Sequence, residues 1–301
     1  MSRYFSPGKL LLSSEYAVLD GAMALAVATK PGQELFAEEK SDGNSSVFWT
    51  AKHQGKDWLS AEIDYKHWKI LRTNKPEAAE FVMKVLRIVQ RLSEEKFHSD
   101  ASYHLTTNLE FPADYGLGSS STLMANLSKW AGTDAFSLNE KSLGGSGYDV
   151  AVAMEKAAIL YRNSENGREI EKVEFSPEFR NELIFIHLNQ KQNSREGIGL
   201  YRAKEKSQQL MDEFSELTMK IYQAETLAEF SRLMETHERK LSDFLQIKTA
   251  KALHFADCPA FIKSLGAWGG DFVMSQKFEG WQHYFSAKGF KTIFEWDALI
   301  L

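Results

Sequence analysis

One cysteine, Cys258, stands in 301 residues. With no second thiol in the chain, an intrachain disulfide is excluded, and this scarcity fits a reducing compartment. Basic charge is not in excess either, since 36 Lys and Arg against 41 Asp and Glu leave a net charge of −5. A nucleic-acid binder usually carries a positive field, so only a local patch could serve that purpose. No run approaches the roughly 18 apolar residues that a membrane-crossing helix requires. Leu10-Leu11-Leu12 is too short for a signal peptide and is followed by Ser13-Ser14-Glu15. Internal repeats and low-complexity tracts are missing. The eight histidines offer no H-E-x-x-H or paired ligand spacing, which argues against zinc. What is present is 43% hydrophobic, 26% charged and 12% aromatic, enough for one large domain or two smaller ones. The expectation is a globular enzyme of the cytoplasm, with neither membrane nor nucleic acid as partner.

Strand and helix patterns mix along the chain. Gly8 to Val27 reads as a strand, a turn region and a second apolar segment. Residues 41–60 read as hairpin material, punctuated by Asp42-Gly43-Asn44 and Gln54-Gly55-Lys56. Phe81, Val82, Val85, Val89 and Leu92 form one stripe of a helix over 77–92. Tyr103 to Phe111 alternates as a strand that Pro112 ends. Helix-like runs follow at Leu123–Trp130 and Val150–Ala158, each behind a Gly-rich cluster. The polar stretch 163–170 marks a domain boundary near residue 165. Beyond it come a buried strand at Leu183–Ile186 and a helical hairpin over 204–245. On that hairpin His237 shares a stripe with Leu227, Phe230, Met234 and Leu241, and reads as a packed core residue. A third Gly cluster precedes the strand-like Phe272-Val273-Met274. Without regular βαβ alternation, the fold class is α+β.

Three Gly-rich loops exceed ordinary turn needs. Gly116-Leu117-Gly118-Ser119-Ser120-Ser121-Thr122 allows close backbone approach to a ligand, and the helix behind it offers unpaired N–H groups. Such a site suits phosphate, and the serine hydroxyls can add hydrogen bonds or a metal ligand. An ordinary helix-entry turn fits the same residues. A Walker loop is excluded because no lysine follows, a dinucleotide fingerprint because Ser121 replaces the third glycine. A nucleophile elbow fails because Thr122 stands where glycine is required. In Gly144-Gly145-Ser146-Gly147-Tyr148-Asp149 the aspartate is a general base or, as chemistry alone favours, a helix cap. Gly266-Ala267-Trp268-Gly269-Gly270-Asp271 is a ligand loop or a tight turn.

Taken in order, the motifs resemble those of the GHMP small-molecule kinase superfamily. Pro7-Gly8-Lys9-Leu10-Leu11-Leu12-Ser13-Ser14-Glu15-Tyr16-Ala17-Val18 is similar to the first motif. Pro112-Ala113-Asp114-Tyr115-Gly116-Leu117-Gly118-Ser119-Ser120 is similar to the second, and Lys263-Ser264-Leu265-Gly266-Ala267-Trp268-Gly269-Gly270-Asp271 to the third. Glu15-Tyr16 and the run Gly145 to Ala151 look most like the mevalonate kinase and phosphomevalonate kinase branch. The resemblance implies a two-lobed fold: a ribosomal S5 domain 2-like N-lobe over 1–165 and a ferredoxin-like C-lobe over 166–301. It implies an ATP- and Mg2+-dependent transfer to a small alcohol or phosphorylated acceptor, first of all mevalonate or 5-phosphomevalonate. A sugar or amino-acid alcohol kinase and a non-catalytic nucleotide-binding member are the alternatives. Oligomeric state is not legible, and a homodimer is allowed.

Residue by residue, the resemblance makes Asp149 the group that accepts or orients the hydroxyl proton. Lys9 becomes its charge partner; without the motif it reads as a solvated surface lysine. The backbone of Gly116, Leu117, Gly118, Ser119, Ser120 and Ser121 would cradle phosphates, with Ser120 and Glu140 as Mg2+ ligands. Glu15, Tyr16, Ser146, Gly147, Ser194, Gly266, Ala267, Gly269 and Gly270 would line the acceptor side. Lys191 and Arg195, in the loop 189–197, would clamp a phosphorylated acceptor. Three departures stand out. Ser14 replaces a glycine, Trp268 replaces another, and residues 121–148 give only 28 positions between Ser120 and Asp149. That spacer normally carries a Mg2+-binding glutamate.

Overall fold

The computed structural model describes residues 1–190, 194–266 and 271–301. Its elements group into two compact units that are not consecutive stretches meeting near residue 165. The first comprises 1–8, 31–113 and 117–156, the second 9–30, 114–116 and 157–301.

In the first unit, β1 (Ser2–Leu11) and β2 (Ala24–Lys40) contribute one end each. The hairpin β3 (Ser46–His53) and β4 (Lys56–Asp64) turns on Gln54 and Gly55. Both turn residues have positive φ, 50° and 78°, the geometry that matches strand twist. Then follow β5 (Lys69–Thr73), α1 (Pro76–Leu92) and β6 (Ser102–Leu109). The sheet order is β5-β4-β3-β6-β2. The Asp42-Gly43-Asn44 turn therefore joins strands that are not neighbours, because β6 lies between β2 and β3, parallel to β3. The helices α2 (Ser119–Ala131), α3 (Ala135–Ser142) and α4 (Tyr148–Glu155) complete the unit. Leu35, Val47, Trp49, Ile63 and Leu105 of the sheet meet Val82, Val85, Leu86 and Val89 of α1 and Met124 and Leu127 of α2 in one core.

In the second unit, β7 (Ala158–Ser164) and β8 (Gly167–Val173) form a hairpin, and β7 pairs with residues 24–26 of β2. The polar stretch 163–170 is therefore a hairpin turn and no linker; Gly167 takes φ 111° there. Next come β9 (Leu183–His187), α5 (Ser194–Arg202), α6 (Gln208–Gln223) and α7 (Leu227–Leu245). They are followed by α8 (Ala250–His254), β10 (Lys263–Leu265) and β11 (Phe272–Gln276). α9 (Trp281–Ala287), β12 (Ile293–Glu295) and α10 (Trp296–Leu299) end the chain. The antiparallel order β10-β11-β9-β12 is ferredoxin-like, with α6 and α7 between its first two strands and α9 before its last. Ile184, Ile186 and Val273 pack one face of this sheet on Phe255 and Phe285. Among the described residues no helix is long and apolar enough to cross a membrane.

Candidate active site

The first motif leaves β1 through Leu10, Leu11 and Leu12, all buried, and enters a tight turn. Ser14 and Tyr16 both have positive φ, 60° and 62°. A side chain in that region costs about 1–3 kcal/mol, which accounts for the glycine usual at position 14 in the motif it resembles. Here the turn is over-determined by its neighbours. Ser14 donates its Oγ to the Met23 carbonyl (2.6 Å) and its N–H to His237 Nε2 (2.7 Å). Thr218 Oγ1 of α6 lies 3.1 Å from Ser14 Oγ and 2.8 Å from Ser13 Oγ.

Glu15 and Tyr16, expected on the acceptor side, face inward. Glu15 has 0% exposure and accepts a hydrogen bond from Lys263 Nζ at 2.5 Å. Burial raises its carboxyl above the usual range, against the pull of Lys263. Tyr16 is buried and stacks on Tyr201 of α5, ring centroids 5.9 Å apart. Its hydroxyl occupies the place of a side chain at Gly197: a Cβ there would lie 2.1 Å from it.

The second motif divides between the units. In Asp114–Gly116, the Tyr115 ring lies 4.4 Å from that of His187 and edge-on to Phe272 at 5.6 Å. His187 and Phe272 are register partners on β9 and β11, so the sheet presents a ready-made seat for this ring. Burial pushes the His187 imidazole below its usual range, opposed by Asp114 and Asp271. Gly116 then receives two visitors. Lys9 donates its Nζ to the Gly116 carbonyl at 2.8 Å. The Asp271 carboxyl packs on its α-carbon so closely that a Cβ would lie 1.9 Å from Oδ2. Lys9, Gly116 and Asp271, one from each motif, therefore meet within the second unit.

In the first unit, Gly118 (φ 86°) leads into α2, which has no side-chain cap. Its first-turn N–H groups keep the anion-binding character of a helix start. Leu117 is buried; Ser121 is buried too and donates its Oγ to the Gly118 carbonyl at 2.9 Å. Ser120 is exposed and Ser119 partly so. Thr122 and Asn126 anchor the helix on β2, donating to Gln33 Oε1 (3.0 Å) and the Gln33 carbonyl (2.8 Å).

The cluster at 144–149 is built on three positive-φ glycines, Gly144, Gly145 and Gly147. Gly147 takes the cap position of α4, so Asp149 lies inside the first turn and is not the cap. Its Oδ1 accepts the Val150 N–H at 3.0 Å. A carboxylate at a helix N-terminus is favoured in its ionised form. Ser146 and Gly147 are buried, and Glu140 sits exposed on α3. Among the described residues no three His, Cys, Asp or Glu side chains gather as a metal site.

The third motif begins on β10, and Gly266 takes φ 72°. Ala267, Trp268, Gly269, Gly270 and Lys191 lie outside the described residues, as do the side chains of Ser194 and Arg195. His237 is a packed core residue as its stripe implies, with 0% exposure. Its role as acceptor for Ser14 was not legible. Lys263, Glu238 and Tyr115 were also missed as site-building residues. The available signal was Lys263 itself, a charge directly after the apolar pair Phe261-Ile262 and at the head of a strand.

No family model matches the chain, and no curated protein matches it in sequence. Solved structures do match over its whole length. L. major mevalonate kinase in complex with R-mevalonate is 15% identical, with TM-score 0.70, covering 100% of this chain and 96% of that one. Streptococcus pneumoniae phosphomevalonate kinase, in complex with phosphomevalonate and AMPPNP, is 16% identical with TM-score 0.69, covering 98% and 100%. Lactococcus lactis galactokinase complexed with galactose is 14% identical with TM-score 0.67, covering 97% and 92%. These neighbours are GHMP-superfamily kinases, and the chain has the GHMP-kinase fold.

Proposed function

We propose that the chain is a GHMP-type kinase that transfers the γ-phosphoryl group of ATP to a small-molecule hydroxyl or phosphate. Mevalonate and 5-phosphomevalonate are the first candidates, because Glu15-Tyr16 and the run from Gly145 to Ala151 resemble that branch. The carrying observation is the meeting of Lys9, Gly116 and Asp271. An ordinary helix-entry turn gives no reason for a lysine 107 positions earlier to close on its glycine carbonyl. Nor does it explain an aspartate from the far end of the chain lying on that glycine's α-carbon.

The residues fit the nucleotide. Gly116 and Gly118 hold backbone with φ 66° and 86°, and α2 starts without a side-chain cap. Phosphate oxygens would take its first-turn N–H groups. Ser120, and Ser119 beside it, would ligate Mg2+, an ion that draws its remaining ligands from phosphates and water. When bound, Mg-ATP supplies the transferable group and neutralises part of its charge. Asp149, in the first turn of α4, would orient the acceptor hydroxyl and take its proton. Lys9 would balance negative charge as it moves onto the acceptor, so positioning and electrostatics carry most of the rate.

A coupled ADP-release assay with Mg-ATP tests this on mevalonate, 5-phosphomevalonate, homoserine and galactose in parallel. Turnover is expected on one acceptor, lowered by about 10²-fold or more in Asp149→Asn, and in Lys9→Ala as well. Failure of the wild-type chain to bind ATP would sink the kinase reading. Full activity in both variants would sink the residue roles.

A further inference from the structure

Four titratable side chains lie sealed inside the second unit. Glu15, His237 and Lys263 are 0% exposed and Glu238 is 2% exposed. They come from three separate places: the first-motif turn, α7, and the strand that leads into the third Gly-rich loop. Lys263 Nζ donates to Glu15 Oε1 and to the Ser264 carbonyl, both at 2.5 Å, and lies 3.5 Å from Glu238 Oε2. Glu238 is satisfied without that lysine. It accepts from Ser264 N (3.1 Å), Ser264 Oγ (3.0 Å) and Ala250 N (3.3 Å). His237 takes the Ser14 N–H on Nε2, so its ring proton sits on Nδ1, 3.7 Å from Glu15 Oε2. Burial holds this imidazole well below its usual range, and Lys263 adds to that, so it is neutral.

Burying such a pair costs desolvation, and apolar side chains of equal volume are often as stable or more so. What the pair supplies and apolar packing does not is a fixed register between distant segments. The two partners are 248 positions apart. Glu15 sits between the two strained residues Ser14 and Tyr16, six residues after Lys9. Lys263 stands three residues before Gly266. We propose that Glu15 and Lys263 are positioning residues: their buried pair, seated by Glu238 and His237, clamps the first-motif turn to the strand entering the third Gly-rich loop. The loops that carry Lys9 and Asp271 thereby keep the register in which they meet at Gly116. The catalytic part of this inference rests on the kinase reading; the clamp itself does not.

The decisive variant is the double substitution Glu15→Gln with Lys263→Met. Lys263→Met alone strands a buried carboxylate and is expected to unfold the chain or lower its unfolding midpoint sharply. The double variant removes both members of the pair while Glu238 keeps its three donors, and it is expected to fold with a midpoint above that of Lys263→Met. Amide hydrogen exchange is then compared in peptides covering 12–18 and 263–266. The clamp predicts faster exchange, by about tenfold or more, in both segments. Acceleration in one segment alone, or in neither, overturns it. In the ADP-release assay kcat is expected to fall about 10–100-fold while KM for ATP changes by less than about threefold, as for a misplaced site. Unchanged kcat in an active, folded double variant makes the pair merely structural and overturns the positioning role. If wild type proves inactive on every acceptor, the kinase reading fails, and the exchange comparison still decides the clamp.

Discussion

Gly116→Ala perturbs the point where the three motifs meet, and its cost can be worked from the contacts. The residue has φ 66°, a region that costs alanine about 1–2 kcal/mol. Its new methyl would also lie 1.9 Å from Asp271 Oδ2 and 2.7 Å from Asp271 Cβ. The second distance matters more, because a carboxyl can swing aside whereas a Cβ moves only with its backbone. Overpacking of that kind costs about 1–3 kcal/mol, so the total is about 2–5 kcal/mol. Gly144→Ala is the matched control. Its φ is 74° with nothing within 4 Å of the added atom, so it bears the backbone term alone, about 1–2 kcal/mol. Urea midpoints of the two variants should therefore differ by the overpacking term. In an Asp271→Ala background the Gly116→Ala penalty should shrink by about 1 kcal/mol, since the oxygens are gone and the Cβ remains. Equal destabilisation by both glycine substitutions, or no coupling to Asp271, would refute the close approach.

The strained turn gives a second comparison. Ser14→Gly relieves the φ of 60° but loses the Oγ bond to the Met23 carbonyl, two effects of about 1 kcal/mol each that nearly cancel. Ser14→Ala keeps the strain and loses the bond, so it should unfold at lower urea than Ser14→Gly; the reverse order would contradict this account. Lys129 on α2 provides a pH test. Burial, with Lys156 nearby, pulls its ammonium from 10.5 down to about 8. Below pH 8 it is charged in both states, and the folded state carries the burial cost. Between about 8 and 10.5 the unfolded chain binds the extra proton, so stability rises with pH across that window. Lys129→Met should flatten the rise and raise the midpoint at pH 7, measured by urea melts from pH 7 to 10. A profile identical to wild type would remove Lys129 as its source.

Periodicity located the elements whose burial is one-sided. The stripe on α1 and the hairpin α6–α7 were legible because a helix with one buried face repeats its apolar residues every three to four positions. Glycine positions were legible for a different reason: Gly116 and Gly118 occupy conformations that other residues enter only at a cost. Non-local pairing was not. Nothing near 41–60 announces that β6, some fifty residues on, inserts beside β3. The polar composition of 163–170 describes a solvated turn equally well as a linker, and the structure makes it a turn. The pairing of Glu15 was hidden for a related reason. The resemblance puts Glu15 on the acceptor side, and its buried partner Lys263 lies 248 positions further along the chain. Ser119, Ser120 and Ser121 look alike in sequence, yet helix phase turns Ser121 back onto the Gly118 carbonyl.

The interleaving of the two units has a consequence for biogenesis. Residues 9–30 emerge early from a ribosome but belong with material that begins at 157. While roughly 125 further residues are being made, Tyr16 in the positive-φ turn lacks Tyr201, Met211, Phe214, Leu241 and Leu245, the later residues of its cluster. The first unit holds its own strands and four helices by residue 156. The second then closes only after very long loops have been brought together, which places its formation among slow, high-contact-order events. A truncation after residue 156 would thus leave apolar strand ends without a home, which makes such a fragment a target for chaperones and proteases rather than a free-standing domain.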